Sequence, residues 1–187
     1  MVKKEIRVLG IDDSPFDKFK YKKVLLVGVV MRGGLYVDGV LSTRVSVDGN
    51  DSTKNILRMI NKCKFKPQLQ CIFLNGIAVG GFNIIDIAEL NKKTKIPVIV
   101  VIRKNPNIEK IKKTLIKIKQ ENKIKLIEKA GKVIQINKIF IQLAGINLKN
   151  AREILDVVCT RSLIPEPLRL AHLIAAGIVV GGSKGRA

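Results

Sequence analysis

Residues 23–47 read KVLLVGVVMRGGLYVDGVLSTRVSV, and this stretch decides the fold of the chain. Its first part, residues 23–31, is a nearly continuous apolar run that predicts a buried strand. The Arg-Gly-Gly sequence at 32–34 is a tight-turn signal, and residues 35–47 predict a long second strand. A connection this short joins antiparallel strands, because a parallel crossover needs about a dozen residues or more.

A further strand precedes this hairpin. Residues 6–12, IRVLGID, are apolar and β-branched, and the run ends at the acidic pair Asp12 and Asp13. The connection to the next strand is again short, so we expect the first three strands to be antiparallel to one another.

Helices and strands alternate in the rest of the chain. We predict further strands at 69–75, 96–102 and 138–145, and helices at 52–62, 82–90, 108–120, 148–158 and 168–177. Periodicity alone indicates an α/β chain with one mixed sheet. Three antiparallel strands followed by βα units are also the layout of a ribonuclease H-like mixed sheet with helices on both faces, and we expect this fold class.

This layout has a consequence for the polar residues at the strand ends. The strands at 69–75 and 96–102 should run parallel to the first strand, so Asp12 should lie beside Asn75 at a shared sheet edge. We expect residues 1–180 to form a single domain and residues 181–187, GGSKGRA, to be a flexible tail.

Composition excludes several classes of protein. Hydrophobic residues make up 47% of the 187-residue chain, too many for a disordered protein. No apolar run approaches the roughly 18 residues of a membrane span, and the N-terminus lacks a secretion signal, so we expect a cytoplasmic protein without membrane contact. The three cysteines form no CxxC pair, which predicts reduced, inert thiols rather than a zinc site.

The net charge points to a polyanionic partner. It is +20, and residues 103–138 hold twelve Lys or Arg and three Glu. A charge of this size attracts nucleic acid, which we expect as the partner. Genome composition or heat adaptation would also produce a lysine-rich chain, and the sequence does not define an oligomeric state.

The aspartates are concentrated near the predicted strand ends. Six of the eight lie in the first 51 positions: Asp12, Asp13, Asp17, Asp38, Asp48 and Asp51. Carboxylates gathered in this way predict a site for a hard divalent cation, Mg²⁺ or Mn²⁺. The alternative is that these residues form turns, which aspartate favours.

Three segments resemble endonuclease V. YVDGVLSTRV (36–45) resembles its YxPGxLxFRE segment, the stretch from Asn75 resembles its DGxG segment, and IPEPLRLAH (164–172) resembles its LPEPxRxAH segment. The RGG turn, VDGND (47–51) and GGFNIID (80–86) look like the archaeal DUF99 (UPF0215) family. The resemblance covers roughly residues 6–177 and implies a Mg²⁺-dependent nuclease that cuts a nucleic-acid strand near inosine.

Endonuclease V holds its metal with several carboxylates, and two of them are replaced here. The resemblance carries the first-strand Asp to Asp12 and the histidine to His172. Val45 stands where the family has a Glu, Asn75 where it has an Asp, and Asp38 where it has a wedge proline. Two-metal cleavage needs several anionic ligands, so these changes reduce the negative charge available to hold two ions.

The resemblance, the aspartates near the strand ends and the basic residues together predict a site with three parts. The catalytic residues are Asp12 and His172, and the metal ligands are Asp12, Asp13, Asp48 and Asn75. The nucleic-acid contacts are Tyr36, Arg44, Arg103, Lys104 and Arg169. For Arg169 two roles remain open, a phosphate contact or an ion pair with Glu166.

Two classes of function follow from this site. The first is a metal-dependent phosphodiester endonuclease with an altered carboxylate set. The second is a nucleic-acid-binding or scaffold protein that has lost catalysis. Nucleotide-triphosphate hydrolysis is excluded, because no GK[ST] sequence follows the glycines at 76–81.

Overall fold

A computed structural model describes residues 2–183 of the chain, and within them one mixed sheet carries the helices. The strands are β1 Arg7–Asp13, β2 Lys23–Arg32, β3 Tyr36–Ser46, β4 Cys71–Asn75, β5 Ala78–Val79, β6 Asn83–Ile84, β7 Val98–Ile102, β8 Ile134–Ile136 and β9 Ile139–Ala144. The helices are α1 Ser52–Asn61, α2 Ile87–Thr94, α3 Ile108–Lys117, α4 Ile124–Lys129, α5 Leu148–Val158 and α6 Glu166–Val180.

The main sheet has the predicted strand directions. Its order is β3-β2-β1-β4-β7-β9-β8, with β1, β2 and β3 antiparallel to their neighbours. The strand β4 is parallel to β1, and β7 is parallel to β4, as expected. The strand β9 then turns back antiparallel to β7, so the βα alternation ends there.

The side chains of the strands pack into two separate hydrophobic cores, one on each face of the sheet. On one face, which we call the α1 face, Leu9, Leu26 and Ile72 pack with residues of α1 and α2. On the other face, the α6 face, Val27 and Phe73 pack with residues of α5 and α6. Successive residues of a strand point to opposite faces, so each strand contributes to both cores and helices cover both sides.

The helix predicted at 82–90 is wrong in its first half. Asn83 and Ile84 form β6, which pairs with β5, and the helix begins only at Ile87. The cause is the side chain of Asn83, which is buried and bonded to Asp51 and to the backbone of Ser52. The carboxylate of Asp86 then caps the helix by accepting a hydrogen bond from Glu89 N.

Other differences concern the ends of elements. The helix predicted at 108–120 ends at Lys117, and the last helix runs from Glu166 to Val180 rather than over 168–177. The short elements α4 and β8 were not predicted. Of the predicted flexible tail, residues 184–187 lie outside the described residues. Between residues 2 and 183, no helix is long and apolar enough to cross a membrane.

Candidate active site

Two parallel strands place Asp12 beside Asn75. Ile11 of β1 pairs with Leu74 of β4, so the next residues along both strands are neighbours. The amide of Asn75 donates a hydrogen bond from Nδ2 to Oδ2 of Asp12 at 3.0 Å. The sequence-based prediction that these residues share a sheet edge is therefore confirmed.

The helix α6 adds His172 to this pair because Gly10 lets it approach. A Cβ atom at Gly10 would lie 2.4 Å from the carbonyl carbon of Pro167, so any larger residue would push the start of α6 away. Gly10 and Asp12 point to the same face. The Nδ1 atom of His172 lies 3.0 Å from Oδ2 of Asp12.

The carboxylate of Asp12 is buried and has a perturbed pKa. The residue is 2% exposed, and its Oδ1 also accepts a hydrogen bond from Asp13 N. Burial, assisted by the negative charge of Asp13, raises the pKa of Asp12 to about 6 against the opposing effects of Asn75 and His172. Perturbed carboxylates with a specific partner are typical of functional sites.

The contact also orients the imidazole of His172. Because Nδ1 faces the carboxylate, Nε2 is the ring nitrogen that remains for another group, and the side chain is 24% exposed. An ionised carboxylate at Nδ1 favours the tautomer in which Nε2 accepts a proton. Asp12 and His172 thus form a pair that can hold or transfer a proton at Nε2.

The other two predicted metal ligands contact a backbone turn. Asp13 points to the opposite face from Asp12, and its Oδ2 accepts a hydrogen bond from Gly80 N at 2.7 Å. Asp48 accepts one from Phe82 N at 2.7 Å. Burial raises the pKa of Asp13 as well. The structure therefore brings Asp12, Asn75 and His172 together, with Asp13 adjacent in the chain, and places Asp48 at the β5–β6 turn.

A buried lysine holds the same turn, and sequence reasoning missed it. Lys123 is 2% exposed, and its Nζ donates to the carbonyl oxygens of Asp48, Gly49 and Phe82 at 2.8, 2.7 and 2.7 Å. Burial lowers its pKa. Within the lysine-rich stretch, nothing in the sequence pattern distinguishes this residue from the lysines that face solvent.

Val45 does not occupy a position from which a carboxylate would reach the site. It pairs with Val24, is fully buried and belongs to the α1-face core. Asp12 lies on the other face. Ser42 is the residue of β3 that lies level with Asp12, because it pairs with Val27 and Val27 pairs with Asp12. Replacing Val45 by Glu would therefore bury a charge and would not restore the missing ligand.

Asp12 and Asn75 are the two side chains of this site whose oxygens suit a hard divalent cation. In the described part of the chain, no group of three or more His, Cys, Asp and Glu side chains has a metal-binding arrangement. Asp12 would offer one carboxylate to such an ion, and Asn75 would offer its carbonyl oxygen only with the amide turned over from the orientation seen here. Hard cations accept both kinds of oxygen, and their remaining positions are commonly filled by water.

Two of the predicted nucleic-acid contacts lie at the edge where Asp12 is found. Arg103 and Lys104 are exposed and directly follow β7, whose Val101 pairs with Asn75. Arg44 is exposed on β3. Tyr36 lies at the opposite end of β3 and pairs with Arg32.

Arg169 forms the ion pair that was one of its two expected roles. Its Nε and Nη2 both donate to Oε2 of Glu166 at 2.8 Å. Glu166 is buried, and its Oε1 also accepts a hydrogen bond from Arg161 N at 3.2 Å. This pair fixes the first turn of α6, the helix that carries His172.

The three cysteines are buried or half-buried. Cys63, Cys71 and Cys159 are all free thiols. Burial raises the pKa of Cys159 to about 12, and burial also raises the pKa of Cys71. Thiols protonated at neutral pH are poor nucleophiles and poor metal ligands.

The chain is similar to archaeal proteins along its whole length. A UPF0215 protein of Methanothermobacter thermautotrophicus is 48% identical over 191 residues, covering 100% of this chain and 94% of the relative. The crystal structure of a protein of unknown function from Archaeoglobus fulgidus has 40% sequence identity and a TM-score of 0.87, covering 92% of this chain and 98% of that one.

Endonuclease V shares the fold. The structure of Ciona intestinalis endonuclease V, in complex with a 24mer DNA containing an inosine followed by a ribo-adenosine, is 17% identical with a TM-score of 0.58. The match covers 88% of this chain and 82% of that chain. This likeness confirms the expected ribonuclease H-like class.

The family itself follows from the sequence profile. The profile described as Endonuclease dU matches residues 4–179, nearly the whole chain. Together with the UPF0215 relative, this match confirms the DUF99 (UPF0215) membership that the motifs predict. The chain belongs to the Endonuclease dU family.

Proposed function

We propose that the protein is a divalent-metal-dependent endonuclease that cuts a nucleic-acid strand at the edge formed by β1 and β4. One observation carries the proposal: Oδ2 of Asp12 is contacted at 3.0 Å by both Asn75 and His172, side chains from two other elements. Buried carboxylates normally pair with backbone groups or cations. Here the carboxylate is positioned beside an imidazole whose Nε2 is left for substrate.

Each residue has a distinct role in this proposal. Asp12 would hold the cation with one oxygen and orient His172 with the other, and Asn75 would supply a neutral oxygen ligand. A bound Mg²⁺ or Mn²⁺ provides positive charge at the phosphate and lowers the pKa of a water molecule. His172 would hold or transfer a proton at Nε2 next to the scissile phosphodiester.

Basic residues around this edge favour a polyanionic substrate. Arg103 and Lys104 follow β7, and Lys138 precedes β9 at the same end, because Ile102 pairs with Phe140. A net charge of +20 draws nucleic acid to the protein. We propose the cytoplasm as the place where the protein meets this substrate.

The family description suggests the substrate. We propose a strand that contains deoxyuridine, because the matching profile is described as Endonuclease dU. The Ciona intestinalis endonuclease V structure contains inosine-containing DNA, but Asn75 departs from that enzyme's carboxylate set. We therefore expect inosine-containing strands to be left intact.

Cleavage of end-labelled oligonucleotides tests the proposal. Strands that differ at one position, deoxyuridine, inosine or thymidine, are incubated with Mg²⁺, Mn²⁺ or EDTA. The expected result is metal-dependent cutting of the deoxyuridine strand, abolished in Asp12→Asn. Equal cutting by wild type and Asp12→Asn would contradict the assignment of the site.

A second candidate function is nucleic-acid binding without cleavage. The neutral side chain of Asn75, at the edge formed by β1 and β4, favours this alternative. A single carboxylate stabilises less positive charge than the several carboxylates of endonuclease V. Binding of all three strands without cutting in any metal would support it. Gain of cleavage in the double variant Asn75→Asp with Ser42→Glu would then identify the missing ligands as the cause.

A further inference from the structure

The connection between β1 and β2 leaves the sheet at the edge where Asp12 is found. The two strands stop pairing at Asp13 and Leu26, and the chain between them passes outside the sheet. Residues 17–23, DKFKYKK, which lead into β2, are all exposed. We call these seven residues the basic-aromatic loop. It projects from the same edge as the candidate active site.

The backbone of the loop is folded into a turn. Oδ1 of Asp17 accepts a hydrogen bond from the backbone N–H of Phe19 at 2.9 Å. The carbonyl oxygen of Asp17 accepts two more, from the backbone N–H groups of Lys20 and Tyr21, both at 3.0 Å. Aspartate stabilises turns by bonding to the backbone in this way, so the side chains that follow it have a defined direction.

The loop presents two aromatic rings to solvent. Phe16, just before the loop, is half-buried and packs against the α1-face core. Phe19 and Tyr21 are 89% and 50% exposed. Apolar surface that stays in water contributes nothing to folding by burial, so the core does not explain these two rings. The chain has only six Phe and two Tyr, and two exposed rings at this edge favour a ligand with aromatic groups.

Lysines alternate with the two rings. The loop contains four lysines and one aspartate, which gives it a net charge of +3. Nζ of Lys18 lies 5.0 Å from the ring centroid of Phe19, so this cation covers one face of the ring and leaves the other open. The ion pair between Lys20 and Asp17 is exposed and 3.9 Å long, and such pairs are weak. The lysines can therefore bind an anion.

Basic side chains continue from the loop onto the face of the sheet that carries Asp12. In β2, Val27 is level with Asp12, and Leu25 packs in the same α6-face core. Because side chains alternate along a strand, Lys23 points to that face as well. Arg44 pairs with Leu25 and is exposed on the same face. Lys23 lies about 14 Å along the strand from the level of Asp12, a distance that about four stacked nucleotides span.

Unpaired nucleotides are the ligand that matches both the rings and the lysines. Every base has an aromatic face that stacks on Phe or Tyr, and every nucleotide brings a phosphate for a lysine. Inside a duplex the bases are stacked on one another, so the rings of the loop need bases that are splayed out. An acidic peptide would satisfy the lysines and would leave the rings without a stacking partner.

We propose that the basic-aromatic loop holds unpaired nucleotides next to the cleavage site, with bases stacked on Phe19 and Tyr21 and phosphates bound by the lysines. This proposal rests on the proposed function and names its substrate class, a strand that is unpaired where it meets the loop. A fully paired duplex would then bind by charge alone, without help from the two rings.

Binding of unpaired and paired probes to a cleavage-deficient protein tests the loop. The parent is Asp12→Asn, and the probes are a fluorescein-labelled single-stranded DNA of mixed sequence and its blunt duplex, followed by anisotropy at several salt concentrations. Phe19→Ala combined with Tyr21→Ala should weaken binding of the single strand about tenfold or more, because two stacking partners are lost. Duplex affinity and the salt dependence should stay nearly the same.

Charge variants measure the lysines separately from the rings. Lys20→Gln combined with Lys22→Gln should reduce the slope of log K against log salt by about 1.4 for the single strand. The matched control is Lys149→Gln combined with Arg152→Gln, which removes two exposed cations of α5 and should leave the slope nearly unchanged. Circular dichroism and thermal unfolding establish that each variant is folded.

The outcomes distinguish this proposal from the proposed function. Unchanged single-strand affinity in the aromatic variant, or an equal loss for strand and duplex, would overturn the loop and leave the endonuclease proposal standing. Polyglutamate that displaces the strand as well, per charge, as oligothymidylate does would also overturn the loop, since it would show a surface for any polyanion. Wild-type protein that needs Phe19 and Tyr21 to bind single strands but never cuts would overturn the endonuclease proposal and support the loop.

Discussion

Two acid-rich regions of the molecule use aspartate in opposite ways. At the edge of β1 and β4, Asp12 contacts side chains of Asn75 and His172, and burial raises its pKa to about 6. In the turn before α1, burial opposes ionisation of Asp51, but hydrogen bonds from Ser46 and Asn83 outweigh it and lower the pKa. The first carboxylate is poised to change charge, and the second is a fixed anion.

The comparison separates functional from structural aspartates. Asp51 accepts hydrogen bonds from the backbone and hydroxyl of Ser46 and from the amides of Asn55 and Asn83. Its carboxylate therefore stabilises the turn before α1. Asp12 has a neutral amide, an imidazole and one backbone N–H around it. Asp12 lies at the end of β1 and Asp51 lies after the end of β3, and the two carboxylates differ in their partners.

The largest expected effect is on catalysis. His172→Ala should slow cleavage of a deoxyuridine strand by roughly 100-fold to 10,000-fold, the usual contribution of general acid–base catalysis. Affinity for the strand should stay the same, because the charge is carried by other residues. Single-turnover cleavage and anisotropy measure the two quantities separately. Unchanged cleavage would remove His172 from the mechanism.

The next prediction concerns the stability of two variants of β3, Val45→Glu and Ser42→Glu. It tests which face of β3 could carry the carboxylate that this site lacks. Val45→Glu places a carboxylate in the α1-face core, where a buried unpaired charge should destabilise the fold by about 4 kcal/mol or more. Ser42→Glu at the exposed position level with Asp12 should change stability by less than about 0.5 kcal/mol. Urea denaturation measures the free energy of unfolding of both variants. If Ser42→Glu were the less stable of the two, the register of β3 described above would be wrong.

Replacing Asp51 should lower the free energy of unfolding by less than Val45→Glu does. Asp51→Ala leaves the bonded groups of Ser46 and Asn83 without their acceptor, which should lower the free energy of unfolding by about 3 kcal/mol. Thermal and urea unfolding at neutral pH measure this change. An Asp51→Ala protein as stable as wild type would mean that this turn does not need its anion.

The last effect has the opposite sign and depends on pH. Because the folded-state pKa of Asp12 lies above its ordinary value of 3.8, ionisation is harder in the folded chain. The stability that Asp12 contributes is complete below pH 3.8 and is lost as the pH rises through about 6. In EDTA at pH 8, Asp12→Asn should therefore be more stable than wild type by up to about 3 kcal/mol.

The unfolding free energies of wild type and Asp12→Asn at low pH are the control for this prediction. Near pH 3.5 the wild-type carboxyl is protonated in both states, so the two proteins should have the same unfolding free energy. A stability difference that is independent of pH would show that the pKa of Asp12 is not raised.

Much of the fold was predictable because it depends on local signals. The short connections among the first three strands allow only antiparallel pairing, and parallel strands with a common edge place Asp12 beside Asn75. Gly10 carried a readable signal as well, since a glycine inside a strand often marks a close backbone approach. His172 could be assigned only through the resemblance of its segment to endonuclease V.

Other features depended on contacts between distant residues. The register shift between Val30 and Met31 leaves Asp38 as an extra residue in β3 and reverses which later side chains face Asp12. For that reason the sequence did not reveal that Val45 lies on the wrong face. Asp48 also follows a strand, and only the hydrogen bond from Phe82 distinguishes its position from that of Asp12.

Calorimetric titration with Mn²⁺ tests the central claim most directly, namely that Asp12 holds a single divalent cation. The account predicts one bound ion per wild-type chain, no detectable binding by Asp12→Asn, and one ion still bound by Asp48→Asn. Binding of Mn²⁺ by Asp12→Asn equal to that of wild type, or its loss in Asp48→Asn with a folded protein, would contradict the account.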